Sequence, residues 1–255
     1  MHARRSFRAP ACIMLILALD TTTRAGSIAL WRDGEVIDCH VDRTGRTHAQ
    51  RLPGDLLAAL GRHGLVAADV DLFAVAAGPG SFTGLRIGIA TIQGLAFAHN
   101  RAVVGVSALE ALLWLGAPLA AGELVAAWID AQRREVFSAL GDCGASAGGD
   151  GAGVQLVDGP SVGPPTDTLA RWTSLCAGRH VWFIGDGAVN YRHVLDACDP
   201  ACHLVEPTPP LAPAVARMAA RRAASGEATP PHAVRPLYVR RPDAELSRSR
   251  HGTNA

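Results

Sequence analysis

From Met14 the chain reads as short apolar runs separated by turn residues: LILALD, SIALWRD and GEVIDCHV, with TTTRAG and an Asp-Gly turn between them. That spacing predicts an antiparallel meander of three strands. Across His48 to His63 the period changes, because Leu52, Leu56, Leu57 and Leu60 recur at helical intervals on one face. LFAVAA, Leu72 to Ala77, is continuously apolar and too short for a helix, so it reads as a strand buried on both faces. It feeds the stretch AAGPGSFTGLRIGIA, and a second helix is expected over Gly84 to Asn100, then a strand at RAVVGV and a third helix over Ser107 to Leu115. Strands alternating with helices in this order imply an α/β sheet of mixed direction with helices on its faces, ending near Ala117.

The pattern then restarts. ELVAAWIDA and REVFSALG are two strand-like runs joined at Gln132 to Arg134. The Gly/Ala-rich insert at 141–153 reads as a flexible surface loop, since it has too little apolar area to order itself. A helix at Asp167 to Cys176, a strand at VWFIGDG and an alanine-rich helix from Pro213 to Ser225 follow. Residues 1–13 read as a disordered extension and 242–255 as a disordered tail.

With 255 residues, 49% of them hydrophobic and 18% charged, the chain can build one large core or two small ones. A net charge of +1 excludes binding nucleic acid over the whole surface, so any RNA link is local or indirect. The six cysteines are scattered, as in reduced cytosolic proteins, and a cytoplasmic location is expected. Cys198, Cys202 and His203 come nearest to a metal cluster, but one tight group does not make a zinc site, and no metal is assigned. No run approaches the roughly 20 apolar residues of a membrane span.

The glycine stretch fails three motifs. A P-loop needs Gly-Lys where Thr83-Gly84 and Leu85-Arg86 stand. The dinucleotide fingerprint fits Gly78 and Gly80 but meets Thr83 in its third position. A nucleophile elbow around Ser81 would need glycines at Pro79 and Thr83. Two readings remain open: backbone N–H groups approaching a phosphate at a helix start, or close packing along the small stripe Gly84, Gly88, Thr91, Leu95 and Ala98. LALDTTTRAG is the second candidate, where Asp20 and three hydroxyls at a strand end form either a phosphate or magnesium turn or a self-bonded hairpin turn.

ILALDTTTRAGSIAL, THAQRLPGDL, AVAAGPGSFTGLRIGIATIQGLA, VVGVSALEAL, WIDAQRREVF, FIGDGA and RPLYVRR occur in the order seen in the TsaB (YeaZ) family, which this chain resembles from Met14 to about Arg241. The resemblance implies a subunit of the machinery that makes threonylcarbamoyladenosine at position 37 of ANN-reading tRNAs. It implies the actin/hexokinase-like ATPase fold: two ribonuclease-H-like lobes of mixed sheets flanked by helices, here 14–117 joined by the helix near 213–225, and 118–241. The related catalytic subunit TsaD carries N-H-x-x-G-H, two metal-binding histidines one helical turn apart. Here Ala108 and Leu112 stand at those positions and only Glu110 could ligate.

The resemblance therefore implies no catalytic residue and no metal, and a scaffold that pairs with TsaD, is joined by the ATPase TsaE, and meets tRNA indirectly. Its interface would use the first two helices, with Leu52, Leu56, Gly84, Gly88, Thr91 and Leu95, and a homodimer could form through them when TsaD is absent. No cofactor is required, although ATP or ADP could lie at the partner boundary near Asp20, Thr21, Thr22 and Arg86; Gly185 to Ala188 weakly echoes an adenosine loop. The rival readings are a metal-dependent, glycoprotease-like transferase and a small-molecule kinase or ATPase acting through Asp20.

Overall fold

The computed structural model describes residues 14–41, 47–144, 153–197 and 201–240. The extension at 1–13, the tail at 242–255, Cys198 and most of the insert (145–152) lie outside the described residues. In order, the elements are β1 (Leu15–Asp20), β2 (Ser27–Arg32), β3 (Glu35–Val41), α1 (His48–Gly61), β4 (Leu72–Gly78), α2 (Phe82–Ala98), β5 (Ala102–Ser107) and α3 (Ala108–Gly116). The second half adds β6 (Leu124–Asp130), β7 (Val136–Asp142), β8 (Gln155–Gly163), α4 (Pro165–Cys176), β9 (Val181–Ile184), α5 (Asp186–Asn190), α6 (Arg192–Leu195), β10 (Cys202–Leu204) and α7 (Ala212–Ala224).

The strands form two five-stranded sheets, ordered β3-β2-β1-β4-β5 and β8-β7-β6-β9-β10. In each, the first three strands run antiparallel and the last two parallel to the first, so the same unit occurs twice. This is the expected two-lobed α/β fold with mixed sheets. Strand β1 shows why LILALD is apolar throughout. Ile16 and Ala18 face the layer between the sheets, whereas Leu15, Leu17 and Leu19 face the layer under α1 and α2.

Helices α3 and α7 lie between the sheets. Leu109, Leu112 and Leu113 of α3 share one core with Val104 of the first sheet, Val125 and Ile184 of the second, and Val215 of α7. Helices α1 and α2 cover the outer face of the first sheet through Leu52, Leu56, Ile89 and Ile92. Helix α4 covers the outer face of the second, where Trp172 meets Trp128 and Phe183. After α7 the chain returns along the first sheet: Thr229 bridges Val103, and Leu237 N donates to Ala77 O at 2.7 Å. The first lobe thus takes in the strap after α7 as well as that helix. The insert also begins later than expected, since Gly141 and Asp142 belong to β7, paired with β8.

Candidate functional site

The cleft between the lobes is built from equivalent strand ends. Asp20 closes β1, and its Oδ1 accepts hydrogen bonds from Thr22 N at 2.8 Å and Thr22 Oγ1 at 2.6 Å. Asp130 closes β6, the corresponding strand, and its Oδ1 accepts from Gln132 N at 2.8 Å. Duplication of the fold has repeated an aspartate turn that spans two residues. Gly185, with φ +119, carries the chain from β9 into α5, where Asp186 Oδ1 accepts from Asp130 N at 3.1 Å.

A cavity of about 520 Å³ opens among these turns, lined by Asp20, Thr22, Thr23, Gly26 and Ser27 on one side and Ile129, Gly185 and Asp186 on the other. Leu112 of α3 and the Pro207–Leu211 segment complete it. Burial pushes the Asp20 carboxyl above the ordinary range, against the lowering effect of the Thr22 bonds and of His48 and Arg51. Burial likewise raises Asp186 to about 6, and the Asp130 and Asp20 charges push in the same direction.

The glycine loop buttresses the first turn. Ser81 N donates to Thr22 O at 2.7 Å, and Ser81 Oγ caps α2 by accepting from Gly84 N at 3.2 Å. A Cβ on Gly84 would meet Thr21 O at 2.1 Å, and one on Gly88 would meet Thr21 Oγ1 at 2.1 Å. Helix α2 therefore lies directly on the Thr21–Thr22 backbone. Helix α1 grips the same turn from the other side: Arg51 Nη2 donates to Ala25 O at 2.7 Å, and His48 Nε2 lies 2.9 Å from Thr23 O.

These placements correct several expectations. Leu52 and Leu56 are 1% and 3% exposed, and Gly84 and Gly88 are buried, so all four face the chain's own interior rather than a partner. The glycines of the small stripe, Gly84 and Gly88, are clearance for the Thr21–Thr22 turn. Thr91 and Leu95 are half-buried, while the exposed apolar side chains of the two helices are Leu57, Phe82 and Phe97. Of the nucleotide candidates, Asp20 and Thr22 reach the cleft. Thr21 is fully buried and spends its hydroxyl on Gly84 O at 2.8 Å. Arg86 points elsewhere, its Nε donating to Tyr238 Oη at 3.3 Å.

At the start of α3, Ala108 and Leu112 are buried core residues, and Glu110 Oε2 accepts from Arg222 Nη2 at 2.7 Å. Among the described residues no group of three or more His, Cys, Asp or Glu side chains is placed to hold a metal. His203 of the flagged cysteine cluster pairs instead with His180 at 2.8 Å. The nucleotide that the resemblance allows near Asp20 meets a lining that fits it poorly: two carboxylates face the cleft, and no Arg or His lines it among the described residues. A polyphosphate there would meet repulsion from Asp20 and Asp186. The Gly185 to Ala188 stretch noted in the sequence does reach the cleft through Gly185 and Asp186, whereas the sequence reading missed Asp130 and Arg51; the end WID, which echoes LALD, was the available signal for Asp130.

A family model described as TsaD, tRNA N6-adenosine threonylcarbamoyltransferase, matches residues 42–246. The chain is 40% identical over 124 residues to the tRNA threonylcarbamoyladenosine biosynthesis protein TsaB of Escherichia coli K12, covering 49% of this chain and 53% of that protein. The Haemophilus influenzae protein of the same description is also 40% identical, over 49% of this chain and 52% of its own length. The chain thus spans about half the length of the first curated relatives it matches. An uncharacterized protein of Mycobacterium tuberculosis is 34% identical over 235 residues, 91% of this chain and 95% of that one. Among solved structures, YeaZ from Pseudomonas aeruginosa superposes with a TM-score of 0.72 at 32% identity, covering 88% of this chain and 99% of that one. The model match across most of the sequence and the end-to-end likeness to YeaZ lead to one conclusion: the chain belongs to the TsaB/YeaZ family.

Proposed function

We propose that this protein is a non-catalytic subunit of the assembly that forms N6-threonylcarbamoyladenosine on tRNA, supporting the catalytic subunit TsaD together with the ATPase TsaE. The names of the relatives supply the process. The observation that carries the non-catalytic role is the start of α3, where the two positions that resemble the metal-binding histidines of TsaD hold buried Ala108 and Leu112. Neither side chain offers an electron pair to a metal. Glu110, the remaining candidate ligand, is committed to Arg222 on the surface.

In this reading the chain works through surface rather than chemistry, in the cytoplasm and without a cofactor of its own. Helices α1 and α2 present the partner face, with Leu57, 66% exposed, and the flank of Thr91 and Leu95 as contact positions. An apolar face of this kind gains by being covered. A bound nucleotide would belong to the boundary with TsaD, where that subunit could supply the cations the cleft lacks.

The test is genetic. Cells deleted for this protein are expected to lack threonylcarbamoyladenosine in digested tRNA, and both the wild-type chain and Glu110→Gln are expected to restore it fully. Restoration by wild type but not by Glu110→Gln would return a chemical role to the α3 carboxylate and overturn the reading.

A further inference from the structure

A second cavity, of about 540 Å³, opens between the lobes and shares no lining residue with the carboxylate cleft. Two edge strands border it: β5 of the first sheet contributes Gly105 and Ser107, and β8 of the second contributes Leu156 and Pro160. Leu109 and Leu113 of α3 line it from the core, at 1% and 3% exposed. Leu156 and Leu237, one from each lobe, are 51% and 46% exposed and leave aliphatic surface open to solvent at the same place. Among the described residues no aromatic side chain lines this cavity.

Four charged side chains also line it: Glu110, Arg222, Glu227 and Arg235. The first two neutralise each other, because Arg222 Nη2 donates to Glu110 Oε2 at 2.7 Å while its Nη1 holds Gly105 O at 2.8 Å. The other two have no counter-ion among the described residues. Arg235 Nη1 donates only to the backbone carbonyls of His232 and Val234, and the Glu227 carboxylate meets no cation. Both belong to the strap after α7, whose backbone is fixed along its length. Thr229 pairs with Val103, Gln93 Nε2 donates to Pro231 O at 2.8 Å and to Val234 O at 3.1 Å, and Leu237 N donates to Ala77 O. One uncompensated negative and one uncompensated positive charge therefore stand at a set spacing on the same cavity.

We propose that this cavity binds a zwitterion with an aliphatic body, a free aliphatic amino acid or a short aliphatic peptide. Glu227 takes the ammonium group, Arg235 the carboxylate, and the side chain of the ligand lies against Leu109, Leu113, Leu156 and Leu237. A guanidinium matches a carboxylate in shape and charge. A ligand of a single charge would satisfy one of the two and be repelled by the other. The absence of aromatic walls removes the stacking surface that a base or an aromatic ring would use. The proposal goes beyond the scaffold role and does not depend on it, because none of the positions assigned to the partner face lines this cavity.

Isothermal titration calorimetry of the purified full chain with leucine and with leucyl-leucine tests it without any partner subunit. At least one of the two is expected to bind, and the tighter one tells whether the ligand is a free amino acid or a peptide. Glycine or glycylglycine, without the aliphatic body, is expected to bind about tenfold more weakly or less. Blocking either charge of the tighter ligand, as its C-terminal amide or its N-acetyl derivative, is expected to weaken it by about three- to fivefold. Arg235→Gln should remove the penalty for amidation, and Glu227→Gln the penalty for acetylation. Both positions are exposed, so unchanged melting temperatures are expected to accompany these effects. Absence of binding by both leucyl ligands, equal binding of the blocked forms by the wild type, or penalties that persist in both variants would overturn the proposal.

Discussion

At the scale of single residues, three glycines fix how closely the loop approaches the strand end. Gly80, Gly84 and Gly88 would each drive a Cβ into Thr21 or Thr22, but they differ in what is struck. At Gly84 the obstacle is the Thr21 carbonyl, which cannot move without shifting the turn; at Gly88 it is the Thr21 hydroxyl. Gly84→Ala and Gly88→Ala are therefore each expected to destabilise by about 1–3 kcal/mol, outweighing the ~1 kcal/mol that alanine gains in a helix. Denaturant unfolding should also show the cost of Gly88→Ala falling by half or more in a Thr21→Ala background, while that of Gly84→Ala stays. Equal rescue of both would contradict the assigned contacts. The glycines were legible as a motif, but their neighbour was not, because a small stripe does not say which surface fills the space beside it.

The buried carboxylates make a second prediction at this scale. Asp186 is raised by burial from 3.8 to about 6, so the folded state holds its proton more tightly than the unfolded chain. Its contribution to stability is then full at low pH and is lost as pH rises from about 4 through about 6, with Asp20 acting in the same direction. Asp186→Asn keeps an oxygen that can accept from Asp130 N and removes the charge. It is expected to stabilise the protein by about 1–3 kcal/mol above pH 6 and to change little near pH 4. Thermal melting across this range should show the wild type losing stability relative to the variant as pH increases; the opposite slope would refute the placement.

At the scale of elements, α1 is attached by more than its leucines. Arg51 is 3% exposed, yet its guanidinium reaches Ala25 O, Asp55 Oδ2 at 2.9 Å and His48 Nδ1 at 2.8 Å. It ties the first turn of the helix to the Asp20–Gly26 loop. Arg51→Met leaves Asp55 and the Ala25 carbonyl without their donor and is expected to cost about 3 kcal/mol by urea unfolding. In an Asp55→Ala background the loss should shrink; strict additivity would mean the two side chains are not coupled. Helical spacing revealed α1 from the leucines alone, whereas a buried arginine on an apolar face gives no sign of its partner 26 residues earlier. β8 escaped the sequence reading for a different reason. Gln155 to Gly163 reads as polar and turn-rich, with Asp158, Gly159 and Pro160 at its centre, because it is an edge strand with one side paired. β10, three residues long, has no period to read.

At the scale of the whole molecule, the duplicated sheets share a single inner layer, and α3 packs in it against both lobes with Leu109, Leu112 and Leu113. Between its two strand-end turns this chain presents carboxylates, hydroxyls, prolines and the leucines Leu112 and Leu211 to the cleft. The fold class was legible because strand and helix periods alternate cleanly. The composition of the cleft was not, because its walls come from Asp20, Leu112, Asp186 and Pro209, which are far apart in the sequence and meet only in the folded chain. The proposed role is that of a subunit supporting the chemistry of another protein. The most direct measurement is threonylcarbamoyl transfer to tRNA by purified TsaD and TsaE, with and without this chain. Transfer is expected only when all three are present, and none by this chain alone. Full-rate transfer by TsaD and TsaE without it, or transfer by the isolated chain, would contradict the proposed role.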